Sequence, residues 1–145
     1  MTKDFELIPS VADLVSDKTT GEPAFTFPDV IEVIRLCTAN QIAVLGMEIF
    51  LIEEAKYYAS GCSTYDLQIT RKWPEVLISD WHHYVSENNA LAEDSVKQNP
   101  RGDEHVYILT TASWREFSNL QDLRKRPRRT GWIGGKIWGK IWGKI

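Results

Sequence analysis

Cys62 and His105 come nearest in this chain to a catalytic pair. A thiol becomes a working nucleophile when an imidazole takes its proton and a third group orients that base. Cys62 lies in the segment Cys62-Ser63-Thr64-Tyr65-Asp66, and His105 opens a strand-like run. A small cysteine hydrolase is therefore one reading. A structural thiol is the plainer one, because cysteine is among the most buried residue types. His82 and His83 are neighbours in a segment of helical period, so their side chains diverge by about 100° and do not readily chelate one ion. No His-x-x-x-His, Cys-x-x-Cys or His-Glu-x-x-His spacing occurs. A metal centre would have to be assembled from His82 or His83, His105, Asp80 and Cys62 across the fold. Gly-x-Ser-x-Gly, a phosphate loop and a dinucleotide fingerprint are also missing. The expectation is a chain that is not an enzyme and carries no cofactor and no metal.

Charge divides the chain more sharply than any motif. Residues 1–123 hold nine Lys+Arg against twenty Asp+Glu, a charge of −11, whereas residues 124–145 hold eight basic residues and no acidic one. An acidic domain attracts a basic partner, and a basic segment attracts an anionic one. The division predicts one acidic globular domain, 1–123, followed by a tail, 124–145, outside the fold. About 120 residues is an ordinary domain size, and the 43% apolar content can fill a core. The start carries Asp4 and Glu6 without a long apolar run, so no secretory signal is read there, and a cytoplasmic protein is expected. Cys37 and Cys62 read as free thiols in a reducing compartment.

The elements that would position these residues follow from period and punctuation. Ser10-Val11-Ala12-Asp13 has the form of a helix start, and Val30, Val33, Ile34 and Cys37 make one helical stripe after Pro28, with Asn40 as its stop. The run from Ile42 to Ile52 is apolar on both alternating faces except at Glu48, which predicts a central strand, and Gly46 within it predicts a bulge or a close contact. Lys56–Ala59 and Tyr65–Ile69 read as weaker strands about a Ser60-Gly61 turn. Between Pro74 and Gln98, Trp81, Tyr84, Val85, Asn88, Ala92 and Val96 share one helical face, ended by Asn99-Pro100. Val106–Thr111 reads as a strand, and Ser113-Trp114-Arg115-Glu116 is a capping box opening a helix through about Leu123. The fold class expected is α/β or α+β: a small sheet with helices packed on it.

The tail opens with Arg124-Lys125-Arg126-Pro127-Arg128-Arg129 and continues with repeats of Lys-Ile-Trp-Gly. Trp and Ile entering a headgroup region while Lys meets anionic lipid is one reading. Base stacking with phosphate contact is a second. A tandem duplication or altered frame fused after the domain is the third. No nucleic acid is expected for the acidic body.

The succession Glu32-Val33-Ile34-Arg35-Leu36, then Asn40-Gln41-Ile42-Ala43-Val44-Leu45-Gly46-Met47-Glu48-Ile49, resembles a helix followed by an I-x-I-L-G-G-D/E-V strand, with Met47 at the second glycine. With Tyr65-Asp66, Trp81, Tyr84 and Val106-Tyr107-Ile108-Leu109, the stretch from Pro28 to Leu109 is similar to the small immunity proteins of bacterial polymorphic-toxin systems. That resemblance implies a cytoplasmic, non-enzymatic inhibitor that binds and neutralises a cognate basic toxin domain. Acidic rim residues set encounter rate and specificity in such pairs. The candidate partner contacts are Glu48, Asp66, Asp80, Glu87, Asp103 and Glu104.

Overall fold

The computed structural model describes residues 2–16 and 21–125, the side chains of residues 2 and 3 excepted. Three strands form one antiparallel sheet. β1 (Ala43–Glu53) is central, as its apolar sequence predicts, with β2 (Lys56–Thr64) and β3 (His105–Ala112) beside it. Helices α2 (Asp29–Ala39) and α4 (Trp81–Gln98) pack on one side of the sheet. The short α1 (Thr2–Glu6) and α3 (Leu67–Thr70) and the closing α5 (Trp114–Lys125) complete an α+β domain. Among the described residues no helix is long and apolar enough to cross a membrane.

The helical stripes bury as their spacing requires. Val30, Val33, Ile34 and Cys37 of α2 meet Val44, Met47, Tyr107 and Leu109 of the sheet and Ala92 and Val96 of α4. Trp81, Tyr84 and Val85, at the start of α4, join Phe117 of α5 in a second cluster. Trp81 stacks on Tyr84 at 5.6 Å between ring centroids, and both rings contact Phe117. Ser113 and Glu116 form the capping box: Ser113 N donates to Glu116 Oε1 at 3.0 Å, and Glu116 N donates to Ser113 Oγ at 3.4 Å.

Gly46 has both properties expected of it. The β1–β3 register shifts between Val44 and Gly46, and a Cβ on Gly46 would lie 3.2 Å from the Ser63 carbonyl oxygen. The shifted backbone is held by two consecutive buried side chains of α4. Asn89 Oδ1 accepts from Val44 N at 2.8 Å while its Nδ2 donates to Ile42 O, and Asn88 Nδ2 donates to Val44 O at 2.8 Å. Amides suit this role because each offers a donor and an acceptor to a strand whose ladder is interrupted.

Several elements differ from the sequence reading. β2 continues through Ser60-Gly61 with only a register shift against β1, which passes over Ser60, and the hairpin turns instead at Glu54-Ala55, with φ of 50° and 62°. Neither residue is glycine or asparagine, so the usual signal for a two-residue turn is missing. Tyr65–Ile69 is not a strand. Asp66 accepts from Gln68 N at 3.0 Å and caps α3, and this local bond outcompetes a weak strand pattern. Residues 9–14 form a 3-10 turn that Ser10 does not cap, and Gln41 (φ 60°) takes the left-handed conformation expected of Asn40. α4 begins only at Trp81, after an extended stretch and one 3-10 turn, Ile78–Asp80. The last helix continues to Lys125, so Arg124 and Lys125 belong to it. The remainder of the basic tail, 126–145, lies outside the described residues.

Candidate protein-interaction surface

Residues directly opposite in an antiparallel pair share a face of the sheet. Glu48 lies opposite Cys62 on one side and Ile108 on the other, Phe50 opposite Ala59 and Val106, and Ile52 opposite Tyr57. These residues form the face turned away from α2 and α4. Val106 and Ile108 are buried there against Ala24, with Phe50 and Ile52 half-buried beside them. Glu48, Ala59, Cys62 and Thr110 are exposed, and Tyr57 is 41% exposed. The expectation that β1 is buried on both faces therefore fails in its second half. The Glu48 interruption marked an exposed side.

Acidic groups border this face at one end. Ile52 N donates to Glu104 O at 2.8 Å, which brings Asp103 and Glu104 beside the hairpin carrying Glu53 and Glu54. All four are exposed. Lys56, opposite Glu53, is the basic residue of the same hairpin. The patch thus has a half-buried apolar and aromatic middle with exposed carboxylates at one end.

The six candidate contacts separate into three groups. Glu48, Asp103 and Glu104 share this face and its end. Asp80 and Glu87 lie on the other side, at the start of α4. There Trp81 Nε1 donates to Gln41 O at 2.9 Å, near the opposite end of β1, so about 30 Å of strand separates that end from Asp103 and Glu104, with Glu48 about midway on the other face. Asp80 Oδ2 accepts from Leu77 N, and Glu87 pairs with His83 at 3.4 Å.

Asp66 is not a rim residue, and its assignment as a contact is corrected. Its carboxylate is 2% exposed and accepts from Tyr84 Oη, Gln68 N and Arg124 Nη2. Burial, then the Asp66 carboxylate, pushes the Tyr84 phenol up and keeps it a donor. A surface role would require breaking this network. A hint lay in Asp66 followed two residues on by Gln68, an aspartate-capped turn that draws a side-chain oxygen back to the backbone.

The catalytic alternative also fails on geometry. Cys62 and His105 sit on strands flanking β1, three residues out of register, so their backbones are roughly 14 Å apart. Cys62 shares the Glu48 face, whereas His105 alternates with Val106 onto the other. His105 Nδ1 lies 3.3 Å from Glu104 Oε1 without a hydrogen-bonding alignment. Cys37 is fully buried, and burial pushes its thiol up to about 12, so it is inert at neutral pH. His82 meets the Gln41 side chain, and His83 lies against Trp73. Among the described residues no three of His, Cys, Asp and Glu converge as metal ligands.

Missed by sequence reasoning were Glu53, Glu54, Phe50, Ile52 and Tyr57 as parts of one surface. The polar Glu48 was the available signal, hidden because the residues after it, Ile49 to Ile52, are apolar on both faces. Set against protein-family models, curated proteins and solved structures, the chain matches none.

Proposed function

We propose that this chain is a non-enzymatic binding protein of the immunity type, which captures a basic toxin domain on the outer face of its sheet. The observation that carries the reading is the half-apolar patch of Phe50, Ile52 and Tyr57 bordered by Glu48, Glu53, Glu54, Asp103 and Glu104. Such a patch fits a cationic surface with an apolar centre. Its field accelerates encounter and its apolar centre slows release. The residues to Lys125 number 11 basic against 20 acidic, so the excess negative charge persists once the last helix is counted in full. The cytoplasm, where a toxin would act on its producer or neighbour, is the compartment this role requires.

The test is co-expression with the product of the adjacent upstream gene, followed by affinity capture at low and at physiological salt. Capture is expected, and Glu48→Lys with Phe50→Asp should abolish it while Glu87→Lys leaves it intact. Loss of capture by Glu87→Lys alone would move the interface to α4. No capture at either salt concentration would remove the reading.

A further inference from the structure

The described residues end beside a groove. Lys125, the last residue of α5, pairs with Glu75, and Glu75 lines a hollow of about 340 Å³ with Trp73, Pro74, Asp80 and His83. Trp73 also borders a second hollow, of about 430 Å³, in which Leu67, Ala90 and Leu91 supply the apolar lining and Glu87 and Asp94 the carboxylates. The two hollows meet at the indole, so a single groove follows α4.

Charge in the groove follows helical spacing. Asp80, Glu87 and Asp94 recur every seventh residue, so they lie along one side of α4 at steps of about 10.5 Å and span about 21 Å. All three are exposed. Asp80 and Asp94 pair with no cation among the described residues, and Glu87 meets His83 at 3.4 Å. Arg71 is the arginine that faces them. Trp73 is half-buried between the two hollows, its ring edge-on to Tyr84 at 5.5 Å. Such a groove fits a chain that brings aromatic and apolar side chains to its floor and cations to its border.

Residues 126–145 have that composition. They hold six basic residues and no acidic one, together with Trp132, Trp138, Trp142 and four isoleucines. We infer that this segment docks along the α4 groove of its own domain, with its cations beside Asp80, Glu87 and Asp94 and its tryptophans against Trp73 and Leu91. Length permits it, because about seven extended residues cover 21 Å and the segment has twenty. The tether favours it as well. The Lys125–Glu75 pair holds the start of the segment at the groove, where a short link gives an effective concentration of about millimolar. The outer sheet face is also acidic, but it lies across the sheet from this tether. The inference stands apart from the immunity reading, which concerns that other face.

The experiment is paramagnetic-relaxation NMR on the full-length, isotope-labelled chain. Cys62→Ser removes the exposed thiol, Cys37 stays buried, and Ile133→Cys carries a nitroxide. Peak intensity should be lost at the Ala90, Leu91 and Asp94 amides and at the Trp73 indole N–H, and retained at Glu48, Phe50 and Glu104. Sodium chloride at about 1 M, where the screening length is about 3 Å, should restore the lost peaks. Glu87→Lys with Asp94→Lys should restore them at low salt, and both positions are exposed, so the fold is kept. Loss centred on the outer sheet face, loss spread evenly over the domain, no loss, or loss that neither salt nor the double substitution relieves would each overturn the inference. So would equal loss in a mixture of spin-labelled chains and separate isotope-labelled chains, which would place the segment on a second copy.

Discussion

Arg124 Nη2 lies 2.5 Å from Asp66 Oδ2 and ties the last turn of α5 to the cap of α3. Arg124 Nη1 extends the link to Gln68 Oε1 at 2.9 Å, and Lys125 Nζ pairs with Glu75. The two cations that begin the basic segment therefore neutralise carboxylates of the body. A chain cut after Leu123 leaves Asp66 buried with no cation. Removing one partner of a buried ion pair costs about 3–5 kcal/mol, and the part-exposure of Arg124 lowers this to about 2–3 kcal/mol. The midpoint of thermal unfolding should fall by on the order of 10 °C relative to a chain ending at Lys125. Equal midpoints for the two truncations would mean that the pair contributes nothing.

That boundary shows why parts of the fold were readable and others were not. The stripes of α2 and α4 and the Ser113–Glu116 capping box rest on local spacing, and each appears where the sequence places it. Gly46 was readable because a glycine in an apolar strand has few other uses. Composition could not show that Arg124 has a partner 58 residues earlier, because a charge count holds no distances. The Glu54-Ala55 turn was hidden for a different reason. Its residues adopt a conformation that their types disfavour, and the pairing of β1 with β2 imposes it. The interaction surface was half legible. Glu48 announced an exposed position, but the bordering of Phe50 and Ile52 by Asp103 and Glu104 exists only once β3 lies against β1.

The turn carries its own prediction. Ala55 sits at φ 62°, in the left-handed region, which costs an L-residue with a Cβ roughly 1 kcal/mol. Ala55→Gly removes that cost and loses part of the gain to greater freedom of the unfolded chain. A net stabilisation of about 0.5 kcal/mol is expected from urea unfolding, with an unchanged slope. A destabilisation would show that the Ala55 methyl has contacts that outweigh its backbone strain.

Asn89 joins three partners: Val44 N, Ile42 O and Thr38 Oγ1. Asn89→Leu is close in volume but strands a buried strand N–H and a buried carbonyl at about 1–3 kcal/mol each. The variant should lose about 3 kcal/mol or more. Amide exchange at Val44 should accelerate beyond the global change. Protection at Val44 that merely tracks global stability would show that β3 or water replaces the side chain.

Asp4 gives the fold a pH dependence. It is 4% exposed, accepts from Thr111 Oγ1 at 2.7 Å and lies beside Glu116. Burial, then the hydrogen bond with Glu116, pushes its carboxyl up to about 6, and the shared proton holds Glu116 low. The raised group favours the fold when protonated. Its contribution is complete below its ordinary value of 3.8 and is lost as pH rises to about 6. Glu116 acts with the opposite sign, losing its contribution only below its own ordinary value of 4.5. Asp4→Asn mimics the protonated acid. Its stability advantage over the unmodified chain should grow by about 1–2 kcal/mol between pH 4 and pH 7 and then level off. A constant difference across that range would show that Asp4 does not titrate there.

The rim and the centre of the proposed surface should act on different steps of binding. Glu53, Glu54, Asp103 and Glu104 are exposed, so their contribution is long-range and screened over about 8–10 Å at ordinary salt. Reversing two of them to lysine should slow association with a basic partner about tenfold at low salt, with little change in dissociation. Phe50 is half-buried between Ala59 and Val106, where an aromatic anchor loses water on contact. Phe50→Ala should leave association unchanged and speed dissociation by an amount equivalent to about 1–3 kcal/mol. Asp80→Lys and Glu87→Lys should alter neither rate beyond the general effect of two charges, because they lie across the sheet near the start of α4. Stopped-flow kinetics at two salt concentrations separates these effects. If the α4 pair slows association as much as the rim pair, capture depends on net charge alone, and the outer sheet face loses its claim as the contact surface.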